Sequence, residues 1–178
     1  MKLRTVALAT LALAASHPAF AGPKEDYEVL REEIWQWQLD RDPLLALQVG
    51  DRRGDGKLGS FSLASYDERL AASRAFLARI DAIDAAALPK DLQVDHAIVR
   101  RSLADGIEAG GFGQDRFTVI SNRFGPQSVL DYLVSGSPLF TKTDYESYVE
   151  RLEALPSLAA TCTPERLSIM VRMVSAFL

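Results

Sequence analysis

A hydrolytic or metal site is assembled from imidazoles, thiols, hydroxyls and carboxylates, and this chain is short of the first two. It carries His17, His96 and a single cysteine, Cys162. His17 falls in a leader-like start, which leaves His96 as the one imidazole of the remaining chain. A Ser–His–Asp triad would have to use it. Yet His96 shares a row with Leu92, Val99 and Leu103, at helical spacings of four, three and four. A histidine on such a stripe is expected to pack in a core and hydrogen-bond there. A zinc site needs about three converging nitrogen, sulfur or carboxylate ligands. One histidine and one distant cysteine do not supply it, so the expectation is no catalytic, metal or cofactor residue in this chain.

The stretch Gly50-Asp51-Arg52-Arg53-Gly54-Asp55-Gly56-Lys57-Leu58-Gly59-Ser60-Phe61-Ser62 has no helical or strand period, four glycines, and acid alternating with base. With Asp51 at the first position of a calcium loop, Asp55 and Gly56 fall at positions five and six, as an EF-hand requires. Arg53 and Ser62 then stand where an oxygen ligand and a bidentate glutamate are needed, and a guanidinium there would repel the ion. Gly106, Gly110, Gly111 and Gly113 follow a helical pattern, so they read as a helix end and not as a dinucleotide fingerprint. Glu32-Glu33 and Asp81/Asp84 read as solvated helix faces. Trp35 and Trp37 suit a core or the lining of a sugar or peptide groove, and their spacing does not decide between these.

These groups must be positioned by an exported helical domain. Met1-Lys2-Leu3-Arg4 is basic, Thr5 to Ala15 is uncharged, and Ala19-Phe20-Ala21 has the small-x-small pattern of a secretory cleavage site. The apolar run is shorter than the roughly 20 residues that span a bilayer. No cysteine follows it, so no lipid anchor is expected after cleavage. Export to the periplasm or beyond is the expectation. Residues 22–178 suit one domain with a single core. The net charge is −4, and loss of Lys2 and Arg4 makes the remainder more acidic. Such a balance argues against nucleic acid or an anionic membrane as partner. A lone cysteine forms no intrachain disulfide.

Periodicity predicts an all-α fold, an antiparallel array of helices with one or two long loops. Tyr27, Leu30, Ile34 and Trp37 mark the first helix. Asp42-Pro43 caps and opens a short second one reaching Val49. Ser65 and Glu68 form a capping-box pattern for a helix to about Asp84, with Tyr66, Leu70, Phe76, Leu77, Ile80 and Ile83 inward. A fourth helix starts near Lys90 and ends at the glycine cluster. Gln114 to Pro126 reads as a loop, with a short extended piece at Phe117–Ile120. A short helix spans Gln127 to Val134. Thr141 and Asp144 cap another, with Tyr145, Tyr148, Val149, Leu152 and Leu155 inward and Pro156 as its stop. Thr163-Pro164-Glu165 can open a last helix.

Several of these segments together resemble the N-terminal part of the bacterial family catalogued as domain of unknown function 885. The likeness rests on Gly50-Asp51-x-Arg53 after a helix ending in Asp42-Pro43, on Ala78-Arg79-Ile80-Asp81-Ala82-Ile83-Asp84, and on Asp95-His96-Ala97-Ile98-Val99-Arg100. Its most specific part is the pattern of Thr141, Asp144, Tyr145, Glu146, Tyr148, Arg151 and Leu152. Gly50, Asp51, Arg53, Asp144, Tyr145, Tyr148 and Arg151 are accordingly the structural motif candidates. His96 stands where the family tends to have tyrosine, and Ser60 where an aspartate is common.

The resemblance implies a large, mostly helical protein similar to gluzincin-type zinc metallopeptidases, with zinc bound by a His-Glu motif far beyond the matched region. No His-Glu pair occurs in this sequence. The family-like region is taken as 22–156, and 157–178 as a divergent, apolar tail that an out-of-frame reading would produce. Two functions are then expected. One is the N-terminal helical part of such a metallopeptidase, inert alone and partnered by the catalytic region. The other is an independent periplasmic binding module using Trp35, Trp37 and the glycine loop.

Overall fold

The computed structural model describes residues 22–113 and 126–161. The leader, the segment at Phe117–Ile120, Cys162 and the helix expected after Thr163 lie outside those residues. Among the described residues the chain forms six α-helices and no strand: α1 Pro23–Arg41, α2 Pro43–Gln48, α3 Leu63–Asp81, α4 Lys90–Gly111, α5 Pro126–Gly136 and α6 Lys142–Ala160. Short 3-10 turns at Arg52–Gly54 and Ala85–Ala87 join some of them. None of these helices is long and apolar enough to cross a membrane.

Helices α1, α3 and α4 enclose the first core. Tyr27, Leu30 and Ile34 of α1 meet Phe76 and Ile80 of α3, Leu103 of α4, and Leu88 of the α3–α4 connection. Trp37 packs edge-on against Phe76, with ring centroids 5.7 Å apart. It is therefore core, whereas Trp35 is partly exposed.

His96 is buried here. One ring nitrogen, Nε2, lies 3.1 Å from the Ile80 carbonyl oxygen, and the ring tilts against Tyr27 at 5.4 Å. With Nε2 donating to a carbonyl, the imidazole ties α4 to the C-terminal end of α3. Tyr27 donates its hydroxyl to Asp95 at 2.8 Å. Burial, reinforced by that carboxylate, pushes the phenol up, so it stays a donor. His96→Phe should keep the ring packing and lose one buried hydrogen bond, costing about 1 kcal/mol in chemical denaturation.

The second core joins α2, the following loop, α5 and α6 through Leu47, Leu58, Val129, Leu133 and Leu158. Leu44, Phe61, Tyr148, Leu152 and Leu155 pack around it. Asp42 caps α2 by accepting from the backbone N–H groups of Leu44 and Leu45, with Pro43 at the first helical position. Thr141 and Asp144 complete a reciprocal capping box on α6.

Three expectations fail here. The α3 cap is Ser62, which accepts from the Ser65 backbone N–H, and not a Ser65–Glu68 box. The Ser65 hydroxyl instead donates to the carbonyls of Ser60 and Ser62, which leaves it within the first turn. Pro156 does not stop α6, which runs on to Ala160. Leu158, beyond the proline, is buried in the second core, and that burial of about 2 kcal/mol offsets much of what a helical proline costs. Tyr145 and Val149 face solvent rather than the interior. The buried face of α6 is Asp144, Ser147, Arg151 and Leu158, a stripe whose first three members are polar.

Candidate functional site

The loop between α2 and α3 lies where the two cores meet. Gly50 (φ +76°) turns the chain out of α2, with its N–H donating to the Leu47 carbonyl and that of Asp51 to the Ala46 carbonyl. The Asp51 carboxylate then accepts from the Arg53 backbone N–H at 2.9 Å and opens the 3-10 turn at Arg52–Gly54. Two arginines leave this turn in different directions.

Arg53 reaches α1. Its Nε donates to Asp51 Oδ2 at 3.0 Å, Nη1 to Asp40 Oδ1 at 2.8 Å, and Nη2 to the Gln36 side-chain carbonyl. Arg52 reaches α6: Nη1 and Nη2 both lie 3.1 Å from Asp144 Oδ1, and Nη2 is also 2.9 Å from Asp55 Oδ2. Asp55 in turn meets Arg151 Nη2 at 3.4 Å, while Arg151 Nη1 donates to Ser137 Oγ at 3.1 Å. The result is two ion-pair clusters joined by the backbone of the 3-10 turn, Asp40–Arg53–Asp51 towards α1 and Asp144–Arg52–Asp55–Arg151 towards α6 and the α5–α6 connection.

Of the motif candidates, Gly50, Asp51 and Arg53 build the loop, and Asp144 and Arg151 oppose it on α6. Tyr148 packs on the second core, and Tyr145 stands apart, about half exposed. Sequence reasoning missed Arg52, Asp55 and Ser137. Arg52 occupies the variable place of the Gly-Asp-x-Arg pattern, yet it carries the contact with α6. The acid–base alternation of the loop, with Arg52 and Asp55 three apart, was the available signal.

The network sets the charges of its carboxylates. The Arg53 backbone N–H and then its guanidinium hold the Asp51 carboxyl below the usual range. For Asp144 the Thr141 side chain contributes most, opposed by burial and aided by the Thr141 backbone and Arg52. Folded pKa values below the unfolded one mean that this stabilisation is complete above an unfolded Asp pKa of about 3.9. It is lost as pH falls through the folded values. Asp144→Asn should therefore melt below the parent at pH 7, with the gap narrowing as pH falls below the unfolded Asp value of about 3.9. Melting curves at fixed ionic strength check this. An unchanged gap at both pH values would remove Asp144 ionisation as a cause.

Chemically, the arrangement is a joint. Asp51, Asp55 and Asp144 are each engaged by arginine, which makes these three carboxylates poor general bases. The described residues do not fit a zinc centre either: no three His, Cys, Asp or Glu side chains converge among them, and His96 Nε2 lies against a backbone carbonyl.

The family model described as bacterial protein of unknown function (DUF885) matches residues 43–168. The chain belongs to this family. No curated protein and no solved structure matches the chain. The DUF885 match begins at Pro43, the first residue of α2, and covers the Gly50–Ser62 loop and the whole of α6. Within the network, only Gln36 and Asp40 of α1 lie outside it. The loop and its α6 partners are thus part of the DUF885 region, whereas the α1 anchor precedes it.

Proposed function

We propose that the chain is a non-catalytic helical scaffold, the N-terminal part of an exported protein of the metallopeptidase-like kind. In this reading the Gly50–Ser62 loop locks two helical layers together, and a region carrying a His-Glu motif supplies zinc and base. The observation that carries it is the engagement of three carboxylates at the loop, Asp51, Asp55 and Asp144, by arginines. Carboxylates committed in this way fix geometry and are poor bases or ligands. The basic, apolar, small-x-small start of the sequence supports export.

The test is metal content and peptide hydrolysis by the purified chain, with N-terminal sequencing of material recovered from the periplasm. The expected result is a chain beginning at Gly22, without bound zinc and without hydrolysis. Stoichiometric zinc with hydrolysis that a chelator abolishes would overturn the scaffold reading. A binding module built on Trp35, Trp37 and the loop has less support, because Trp37 is packed against Phe76 and the loop is occupied by its own ion pairs.

A further inference from the structure

Helix α4 uses one side for the first core and presents the other to solvent. On the solvent side, Lys90, Gln93, Val94, Ala97, Ile98, Arg101, Ser102 and Asp105 border a shallow, mainly apolar groove. Val94 and Ile98 are each 62% exposed, which is high for β-branched side chains in the middle of a helix.

The order of residues along this face is self-complementary. Taking the point midway between Ala97 and Ile98 as centre, Lys90 and Asp105 are equidistant from it, as are Gln93 and Ser102, and Val94 and Arg101. A two-fold axis through that point, perpendicular to the helix, would set a second α4 antiparallel to the first. Lys90 of each copy then faces Asp105 of the other, Ala97 faces Ile98, and Val94 lies along the aliphatic stem of Arg101. The small Ala97 side chain lets the two axes approach to the short end of the 8–10 Å range for packed helices. A parallel pair would instead oppose Lys90 to Lys90 and Asp105 to Asp105, and would align the helix dipoles unfavourably.

The charged groups are available for this exchange. Lys90 has no ion-pair partner among the described residues. Asp105 pairs only with Arg101, one turn away on the same exposed surface, at 2.7 Å. Such exposed pairs contribute little and re-form readily.

We propose that α4 is a homodimerisation face, on which a second copy of this chain packs antiparallel about the Ala97–Ile98 midpoint. Val94, Ala97 and Ile98 supply the buried apolar strip, and the two Lys90–Asp105 pairs set direction and register. One helix from each partner covers less than the roughly 800 Å² per partner of a standard interface, so the dimer is weak and reversible.

Sedimentation velocity of the purified chain from about 1 to 300 µM tests the proposal, that range bracketing weak association. The expected result is a sedimentation coefficient that rises towards the dimer value with concentration. Lys90→Glu and Asp105→Lys should each leave a monomer at every concentration, since each sets like charges against one another at both ends. Mixed one to one, they should associate again, because both contacts of the heterodimer are then opposite in sign. Both positions are exposed and the new residues suit a helix, so melting curves should show intact folds. Ile98→Glu should abolish association without involving either end pair. A wild-type chain that remains monomeric throughout would overturn the proposal and leave this face to another partner. Association indifferent to Ile98→Glu or to both charge reversals, or a mixture that fails to recover it, would overturn it equally.

Discussion

Replacing Arg151 with alanine is expected to destabilise the chain by roughly 2–5 kcal/mol, the range for truncating a large buried side chain and leaving a cavity. At this size that corresponds to a fall in melting temperature on the order of 10 °C. The residue is only 1% exposed, yet its support is incomplete. Nη1 and Nη2 reach Ser137 and Asp55, while Nε has no hydrogen-bond partner. Burial depresses the guanidinium's affinity for its proton, against the pull of Asp55 and Glu150. Arginine nevertheless stays charged, so the folded state carries the desolvation cost in full. Truncation to alanine removes the stem that fills the space between α6 and the loop, and it frees Ser137 and one side of Asp55.

Arg151→Met separates those contributions. Methionine keeps most of the volume and removes the charge with its unpaired Nε, while Asp55 retains Arg52 at 2.9 Å. The expected result is stability within about 1 kcal/mol of the parent. Urea unfolding with unchanged m-values measures both variants on one scale. If the methionine variant fell as far as the alanine variant, the ion pair rather than the packing would be what holds α6 to the loop.

Arg151 also shows where the sequence stopped being legible. The first core could be read directly, because Tyr27, Leu30, Ile34, Phe76 and Ile80 are apolar at helical spacing and are buried as that spacing requires. His96 was legible for the same reason, since its neighbours on the stripe are apolar. Helix α6 followed the rule only in part. Tyr148, Leu152 and Leu155 pack on the second core as their spacing requires, but Tyr145 and Val149 lie outside, and the most buried positions include the polar Asp144, Ser147 and Arg151. Long-range pairing made this possible: Arg52 and Asp55 are far from α6 in sequence, and a single sequence does not show that they arrive there. The loop as a structural corner was legible from its glycines and from Asp51 and Arg53. The identity of the partners that make it a joint was not.

Substituting Gly54 with alanine is the second large effect, expected at about 3 kcal/mol or more, the upper end of the range for overpacking. Gly54 does not adopt a left-handed backbone, so the requirement is for space. A Cβ placed there would overlap the Pro43 carbonyl oxygen and lie 3.0 Å from Ala46 Cβ. The first of these is main chain in the opening turn of α2, whose position is fixed by the Asp42 cap, so no rotamer change relieves the clash. The loop must move off α2 instead. That movement draws Asp55 from Arg151 and Arg52 from Asp144, and so weakens the grip on α6. Gly50→Ala is the informative control. Gly50 has φ +76° and open space around its Cβ, so its cost is conformational alone, about 1–2 kcal/mol. Combining Gly54→Ala with Arg151→Ala should cost clearly less than the two separate effects added together, because both release the same contact. Full additivity in that cycle would mean that the α2 face of the loop and its α6 face are held independently, and the loop would then not act as a single joint.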